Sequence, residues 1–359
     1  MKKLSLIPLM LASQYLAAAP PTLDLLELAS DSTQSSALKQ KQEATRVEAN
    51  LDSQSKRSVA PTIKWGGLVE LEASVASIDD DPISDIALST LELGAEVDLN
   101  SSIRASVLML YEEDATPLEI DVAKLELDTP VDGLSIAVGQ DYLPFGIYES
   151  ALISDPLTLE LGETRETSIQ IQFAQDWFTS TLYTFNGDQD RNDEDRVQTA
   201  GLRLHAHTDQ YSLSLDYTSN LTDSDALQSS DFLVDGQTDT IDGASLAFAW
   251  YLDAITLSAE HISALNDLPG DGALARPSAS HLELAAKQAS WVYAVAFEQT
   301  AEAELLSLPE DRYRAGLSKI LFNGVQLGAE LSYAKNSTVI AATEPENSTD
   351  LLVQLAAQF

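Results

Sequence analysis

From residue 62 to its end the chain alternates apolar and polar residues, over and over, with a period of two. An extended strand puts every second side chain on one face, so this period commits the region to β structure. In TIKWGGLVELEASVAS, Trp65, Gly67, Val69, Leu71, Ala73 and Val75 share one face. Lys64, Glu70, Glu72 and Ser74 share the other. Leu91, Leu93, Ala95, Val97 and Leu99 then alternate with Glu92, Glu96 and Asp98, and Ile103 to Tyr111 repeat the scheme with Arg104 opposed. Later segments carry Ala123–Leu127, Ile136 and Val138, Thr167–Phe173, and Trp177, Thr179, Thr181 and Tyr183 on the apolar side. The last is Leu351, Val353, Leu355, Ala357 and Phe359. Continued along the chain, the pattern predicts about sixteen strands.

Turn lengths decide what kind of sheet these strands build. Short connections at Asn100-Ser101-Ser102, Ala174-Gln175-Asp176, Asp209-Gln210, Leu252-Asp253 and Asn323-Gly324 alternate with long polar ones near 77–86, 186–197, 218–240, 262–280, 299–311 and 336–348. A soluble sandwich has no reason to alternate in this way, whereas a transmembrane barrel with short turns at one rim and loops at the other does. Aromatic residues gather at strand ends (Trp65, Tyr111, Trp177, Tyr217, Trp250, Trp291, Tyr333), as interfacial girdles require. Beyond residue 20 no apolar run reaches the ~18 residues of a membrane-spanning helix. The expected fold is all-β: a transmembrane antiparallel β-barrel over 61–359.

Two segments precede it. Lys2 and Lys3, the apolar run Leu4 to Ala12 and the small residues Ala17-Ala18-Ala19 form a secretory signal peptide, with cleavage expected after Ala18. Residues 19–60 lack glycine and aromatics and carry a broken heptad through Leu23, Leu26, Ala37, Ala44, Val47 and Leu51. That reads as a short periplasmic segment, helical or flexible, with a homotrimer as one assembly it permits. Export and a barrel together place the chain in a Gram-negative outer membrane, among lipid and lipopolysaccharide. The phased terminal strand ending in Phe359 resembles the signal read by the barrel-assembly machinery.

The face opposite the apolar series must be wet, because charged groups cannot face hydrocarbon. Glu70, Glu92, Glu96, Arg104, Arg203, His205, Arg314 and Glu330 are the expected lumen residues, with Glu72, Asp98, Lys124, Glu126, Asp216, Glu260, Glu283 and Lys287. A barrel of this strand number encloses more space than side chains fill, so a pore follows. With 57 acidic residues against 20 Lys plus Arg, nucleic acid is excluded as a partner and a cation preference is expected. There is no cysteine, so thiolate metal sites and disulfides are excluded. His205 and His207 share a strand face without a third ligand, and neither a resident metal nor a cofactor is expected. Asp188 to Asp195 has the acidity of a calcium loop without its glycine and distal glutamate, and reads as a solvated loop. No motif supports an enzyme; an adhesive or structural barrel is the bland alternative.

One loop differs from the rest. Between Tyr142 and Thr167 the chain reads LPFGIYESALISDPLTLELGETRE, apolar and acidic at once. Left in water it would expose Leu143, Phe145, Ile147, Leu157, Leu159 and Leu161, so it is expected to fold inward and constrict the barrel. Candidate constriction residues are Pro144, Phe145, Gly146, Asp155, Pro156, Glu163, Arg165 and Glu166, with Arg165 neutralised by carboxylates. The same stretch, GQDYLPFG followed by DPLTLELGETRET and the next strand (139–173), resembles the signature region of the LbtU-type siderophore porin family of Gram-negative bacteria. The resemblance implies a porin that takes up a small solute, a ferric siderophore, without a separate plug domain. A non-specific or cation-preferring porin is the other transport reading, since an acidic lumen repels anionic chelates.

Overall fold

In the computed structural model the described residues are 61–78, 81–113, 115–187, 197–229, 240–268, 276–303, 306, 308–336 and 347–359. The signal-peptide and periplasmic readings, and the acidic run from Asp188 to Asp195, lie outside them. Among the described residues sixteen antiparallel strands close into one barrel, each paired with its sequence neighbours and the last with the first. They are β1 (Thr62–Ile78), β2 (Asp81–Asp98), β3 (Ile103–Glu112), β4 (Glu119–Asp128), β5 (Leu134–Tyr142), β6 (Arg165–Gln175), β7 (Phe178–Phe185) and β8 (Thr199–His207). β9 (Tyr211–Thr218), β10 (Gly243–Leu252), β11 (Ile255–Ala264), β12 (Ser278–Gln288), β13 (Trp291–Ala301), β14 (Asp311–Phe322), β15 (Val325–Lys335) and β16 (Asn347–Gln358) complete it. Closure leaves no strand edge facing hydrocarbon, the condition for a sheet in lipid. Two short helices, α1 (Leu157–Gly162) and α2 (Asp225–Ser229), lie in the long connections.

The two faces of the wall divide as the period of two requires. Leu71, Leu93, Leu327 and Leu331 are exposed on the outside, with Leu213, Leu246, Leu282 and Val295 around the circumference. Glu92, Glu96, His205, Arg314 and Glu330 are buried inside. An apolar belt of this extent is stable only against lipid. At the seam, Gly67 and Phe359 exchange backbone hydrogen bonds of 2.9 and 3.0 Å, so the terminal residue takes part in closure.

Two expectations need correction. β7 faces the other way: Thr179, Thr181 and Tyr183 are buried and Leu182 is exposed. Trp177 set the false phase, because it sits exposed in the turn before the strand begins. The long loop expected near 77–86 is absent, because β1 and β2 run as a tall hairpin of 17 and 18 residues past it. That exceeds the ~9–11 residues a membrane-spanning strand needs. Two further short turns, at 129–133 and 289–290, join β4 to β5 and β12 to β13.

Candidate functional site

The long connection from β5 to β6, residues 143–164, enters the barrel and crosses it as a strap. It departs through a tight bend in which Phe145 N donates to Leu143 O at 2.7 Å. Gly146 follows with φ +74°, and a Cβ there would meet the Tyr148 ring at 2.1 Å, so glycine alone fits the bend. Backbone within a loop must find partners once buried. Here the wall supplies them as carboxylates.

The anchoring runs in order along the strap. Gly146 N donates to Asp216 Oδ2 at 2.9 Å, and Ile147 N and Tyr148 N donate to the two oxygens of Glu260 at 2.6 and 3.0 Å. Ser150 Oγ and Ala151 N donate to Glu283 at 2.7 and 2.9 Å. Ile153 N, Ser154 N and Ser154 Oγ donate to Glu330 at 2.6, 3.1 and 2.8 Å. Leu157 N donates to Glu298 Oε1 at 3.0 Å, and Thr158 Oγ1 returns to Glu260 at 2.9 Å. The arginines complete the arrangement from the acceptor side: Arg203 donates to Gly146 O, Arg312 to Asp155 O and Arg314 to Ser154 O. Charge-assisted bonds of this kind are shorter and stronger than neutral ones. The wall makes room for the strap as well: a Cβ on Gly316 would lie 2.7 Å from Leu152.

Apolar packing holds the returning limb. Phe145, Tyr148, Leu157, Leu159 and Leu161 form one buried cluster with Leu221, Leu227, Ile241 and Ile262. α1 therefore packs between the wall and α2, and Asp225 N donates to Glu163 O at 3.0 Å where the two connections meet. This crowding has an electrostatic cost. Burial, with Arg312 opposing it and Glu298 adding to it, raises Glu160 to about 7. Burial and the neighbouring Asp225 and Asp155 hold Glu163 well above the usual carboxylate range. Burial raises Asp225 to about 6.

The opposite wall, β1 to β5, carries no strap. Its charges pair with one another across strands, and Lys64, Asp98, Arg104, Lys124, Glu126 and Asp141 stay partly wet while Glu96 is nearly sealed. Lys64 Nζ lies 2.6 Å from Glu96 and 3.3 Å from Asp98. Arg104 reaches Glu96, Asp98 and Glu126 at 3.3 to 3.4 Å. Lys124 contacts Glu126 at 3.2 Å and Asp141 at 2.8 Å. Nearer the loops Arg165 pairs with Glu119 and with Asp121, the latter at 2.9 Å.

Of the residues singled out from sequence, Pro144, Phe145, Gly146, Asp155, Pro156 and Glu163 lie on the strap, while Arg165 and Glu166 belong to β6. Arg203, Arg314 and Glu330 meet the strap; Glu96 and Arg104 lie on the bare wall; Glu70 and Glu92 lie on β1 and β2 between them. His205 Nε2 is 2.8 Å from Ser212 Oγ, a local pairing on the wall. Sequence reasoning missed Glu298 and Arg312, which form the centre of the anchoring: Glu298 meets Arg312 at 2.6 Å, Arg314 at 2.8 Å and His281 at 3.0 Å. The alternation of Val295, Phe297 and Tyr313 with them carried the signal, but 299–311 was read as loop and the strand ends were lost.

No family model matches the chain. It is 27% identical over 235 residues to a UPF0422 protein of Coxiella burnetii, covering 59% of this chain and 50% of that one. A UPF0422 protein of Legionella pneumophila is 25% identical over 130 residues, covering 33% and 24%. The matched region thus spans half or less of these relatives. Among solved structures, the outer membrane channel DcaP of Acinetobacter baumannii superposes with TM-score 0.61 at 13% identity, covering 85% of this chain and 99% of that one. OmpF of Salmonella typhi gives 0.59 at 11%, covering 83% and 97%. OmpT of Vibrio cholerae, in a trimer form, gives 0.55 at 11%, covering 84% and 100%. The fold is that of outer-membrane channel barrels.

Proposed function

We propose that this chain is an outer-membrane channel for small hydrophilic solutes, narrowed by the 143–164 strap. The observation that carries the reading is the asymmetry of the lumen: the strap is fixed against the β9–β15 side. The water path then runs along the charged wall from β1 to β6. Among the described residues that wall carries the cations Lys64, Arg104, Lys124 and Arg165 against a larger set of carboxylates, Glu70, Glu72, Glu92, Glu96, Asp98, Glu112, Glu119, Asp121, Glu126, Asp141 and Glu166. The surplus of carboxylates favours cations over anions. The purified barrel in a planar bilayer should give discrete conductance steps and a reversal potential of cation sign under a salt gradient. A barrel that inserts but conducts nothing would remove the channel reading and leave a structural role.

Uptake of a ferric siderophore is the narrower form of this proposal and rests on the resemblance over 139–173. The acidic path favours neutral or cationic chelates as cargo over polycarboxylates. Uptake of a ferric hydroxamate by cells carrying the barrel, compared with ferric citrate, tests it; equal rates, or none, would leave the general channel alone.

A further inference from the structure

Two of the four histidines stand together, apart from the carboxylates that anchor the strap. His205 and His207 end β8 on its lumen-facing side, beside the short turn that leads to β9. Their ring centres are 5.3 Å apart and their planes are tilted by 37°. Each ring is held from outside the pair. His205 Nε2 lies 2.8 Å from Ser212 Oγ, and the Asp176 backbone carbonyl accepts a hydrogen bond from the His207 ring. With Nε2–H donated to the serine, His205 keeps Nδ1 as a lone pair. His207, having given its N–H to the carbonyl, keeps its other nitrogen in the same state. An N–H bonded in this way fixes the tautomer and orients the ring, which is the support that metal-binding imidazoles use. Arg203, two residues back on the same face, pairs with Asp216 at 3.3 Å and donates to Gly146 O, so its charge is offset.

We propose that His205 and His207 form a two-point chelate for a divalent transition cation, of the Zn²⁺ or Cu²⁺ kind, at the short-turn end of the lumen. The inference deepens the channel reading, on which passage of the ion rests, and names one class of cation the lumen retains. Separation is the first support. Imidazole nitrogens bind Zn²⁺ at about 2.0–2.1 Å, so with roughly 1.1 Å from nitrogen to ring centre a tetrahedral ion sets two ring centres roughly 5 Å apart. The 5.3 Å between these rings fits that spacing. Ligand type sets selectivity: imidazole suits Zn²⁺, Cu²⁺ and Ni²⁺, whereas Mg²⁺ and Ca²⁺ take oxygen. Ligand number sets strength. Among the described residues no group of three or more His, Cys, Asp or Glu is placed to hold a metal. Water therefore completes the coordination, and the ion exchanges, as a site on a transport path requires. The carboxylate surplus of the β1–β6 wall raises the local concentration of such cations before they reach the pair.

Titration of the untagged, detergent-folded full chain with Zn²⁺ in excess Mg²⁺ reads the pair, because Mg²⁺ occupies carboxylates that would hold either ion. A single Zn²⁺ should bind per chain. His207→Gln and, separately, His205→Gln should each weaken that binding at least tenfold, while His261→Gln, exposed on β11, should leave it unchanged. Heat-modifiable migration shows whether a variant is folded. His207 is half-buried at the end of its strand, so its variant carries the test if the one at buried His205 misfolds. With single channels in a bilayer, Zn²⁺ should interrupt the current of the unaltered protein and not that of His207→Gln. Zn²⁺ binding that His207→Gln leaves as tight would overturn the chelate, as would binding that excess Mg²⁺ abolishes. Zn²⁺ binding in titration with no conductance would retain the chelate and reject the channel. Conductance with no Zn²⁺ binding would do the reverse.

Discussion

The barrel has two walls of similar composition and opposite use. From β1 to β5, Lys64, Glu96, Asp98, Arg104, Lys124, Glu126 and Asp141 pair with each other at side-chain exposures from 7 to 32%. From β9 to β15, Asp216, Glu260, Glu283, Glu298 and Glu330 are nearly all sealed from water and spend their oxygens on the backbone of a loop. The same residue type is solvated scenery on one side and a mechanical anchor on the other. A carboxylate surrounded by water gains little from a partner, while one removed from water depends on each hydrogen bond it makes.

The largest test attacks the strap itself. Replacing Leu157, Leu159 and Leu161 by Ser removes three fully buried side chains from the cluster that holds the returning limb. Each such loss is on the order of 2–5 kcal/mol, which exceeds what a local loop contact can absorb. Conductance should rise several-fold and solute size selection should broaden, while insertion proceeds normally because the strands are untouched. Unchanged conductance and unchanged liposome swelling would show that the strap does not limit passage.

The next test sets one wall against the other. Glu298→Gln should lower stability strongly, about 3–5 kcal/mol, since Arg312 and Arg314 would lose their nearest counter-charge, with Glu330 3.7 Å from Arg314 as the remaining one. Glu126→Gln, across the lumen, should cost no more than about 1 kcal/mol because its pairs with Arg104 and Lys124 stay hydrated. Urea unfolding of the two variants side by side measures the difference. Comparable losses would dissolve the distinction between the walls.

Much of this was open to reading in the residues. The strand count and the outward series came from periodicity, which tolerates error in any one strand. The β7 phase failed because DWFTSTLYTF offers aromatics in both parities, and only the turn decides which belongs to the sheet. That 143–164 needed burial was legible in its leucines; its wall partners were not. Asp216, Glu260, Glu283 and Glu330 stood on the wet face as generic charges, and no sequence signal distinguishes an anchor from a solvated wall. That distinction arises from where the strap lies, over strands that follow it by up to 177 residues.

A third test addresses the bare wall's field. Arg104→Ser with Lys124→Ser removes two of its cations and leaves their acidic partners, so cation preference should rise about two- to fivefold in the reversal potential, within the range that local charge exerts on ion concentration. The corresponding loss on the covered wall, Arg203→Ser, should move selectivity less and strap order more. A larger selectivity change from Arg203 would place the water path on the wrong side.

The smallest effect comes from the acids where strap and 219–229 meet. Glu160 and Asp225 have raised values, about 7 and about 6, because burial disfavours their charged forms. A carboxyl with a higher value folded than unfolded binds more protons in the folded state, so docking is favoured at low pH and loses stability as pH rises. The window runs from the ordinary value of 4.5 for Glu160 and 3.8 for Asp225 up to those raised values. Glu163 shifts in the same direction, adding to the repulsion as the pair ionises. Strap fluctuations, read as open-channel noise, should therefore grow between about pH 4.5 and 7, where the shifted carboxyls lose their protons. Glu160→Gln should flatten that dependence without altering the mean conductance at pH 4.5. Noise that rises equally in the variant would move the origin of the effect away from α1, to the half-exposed acids of the opposite wall.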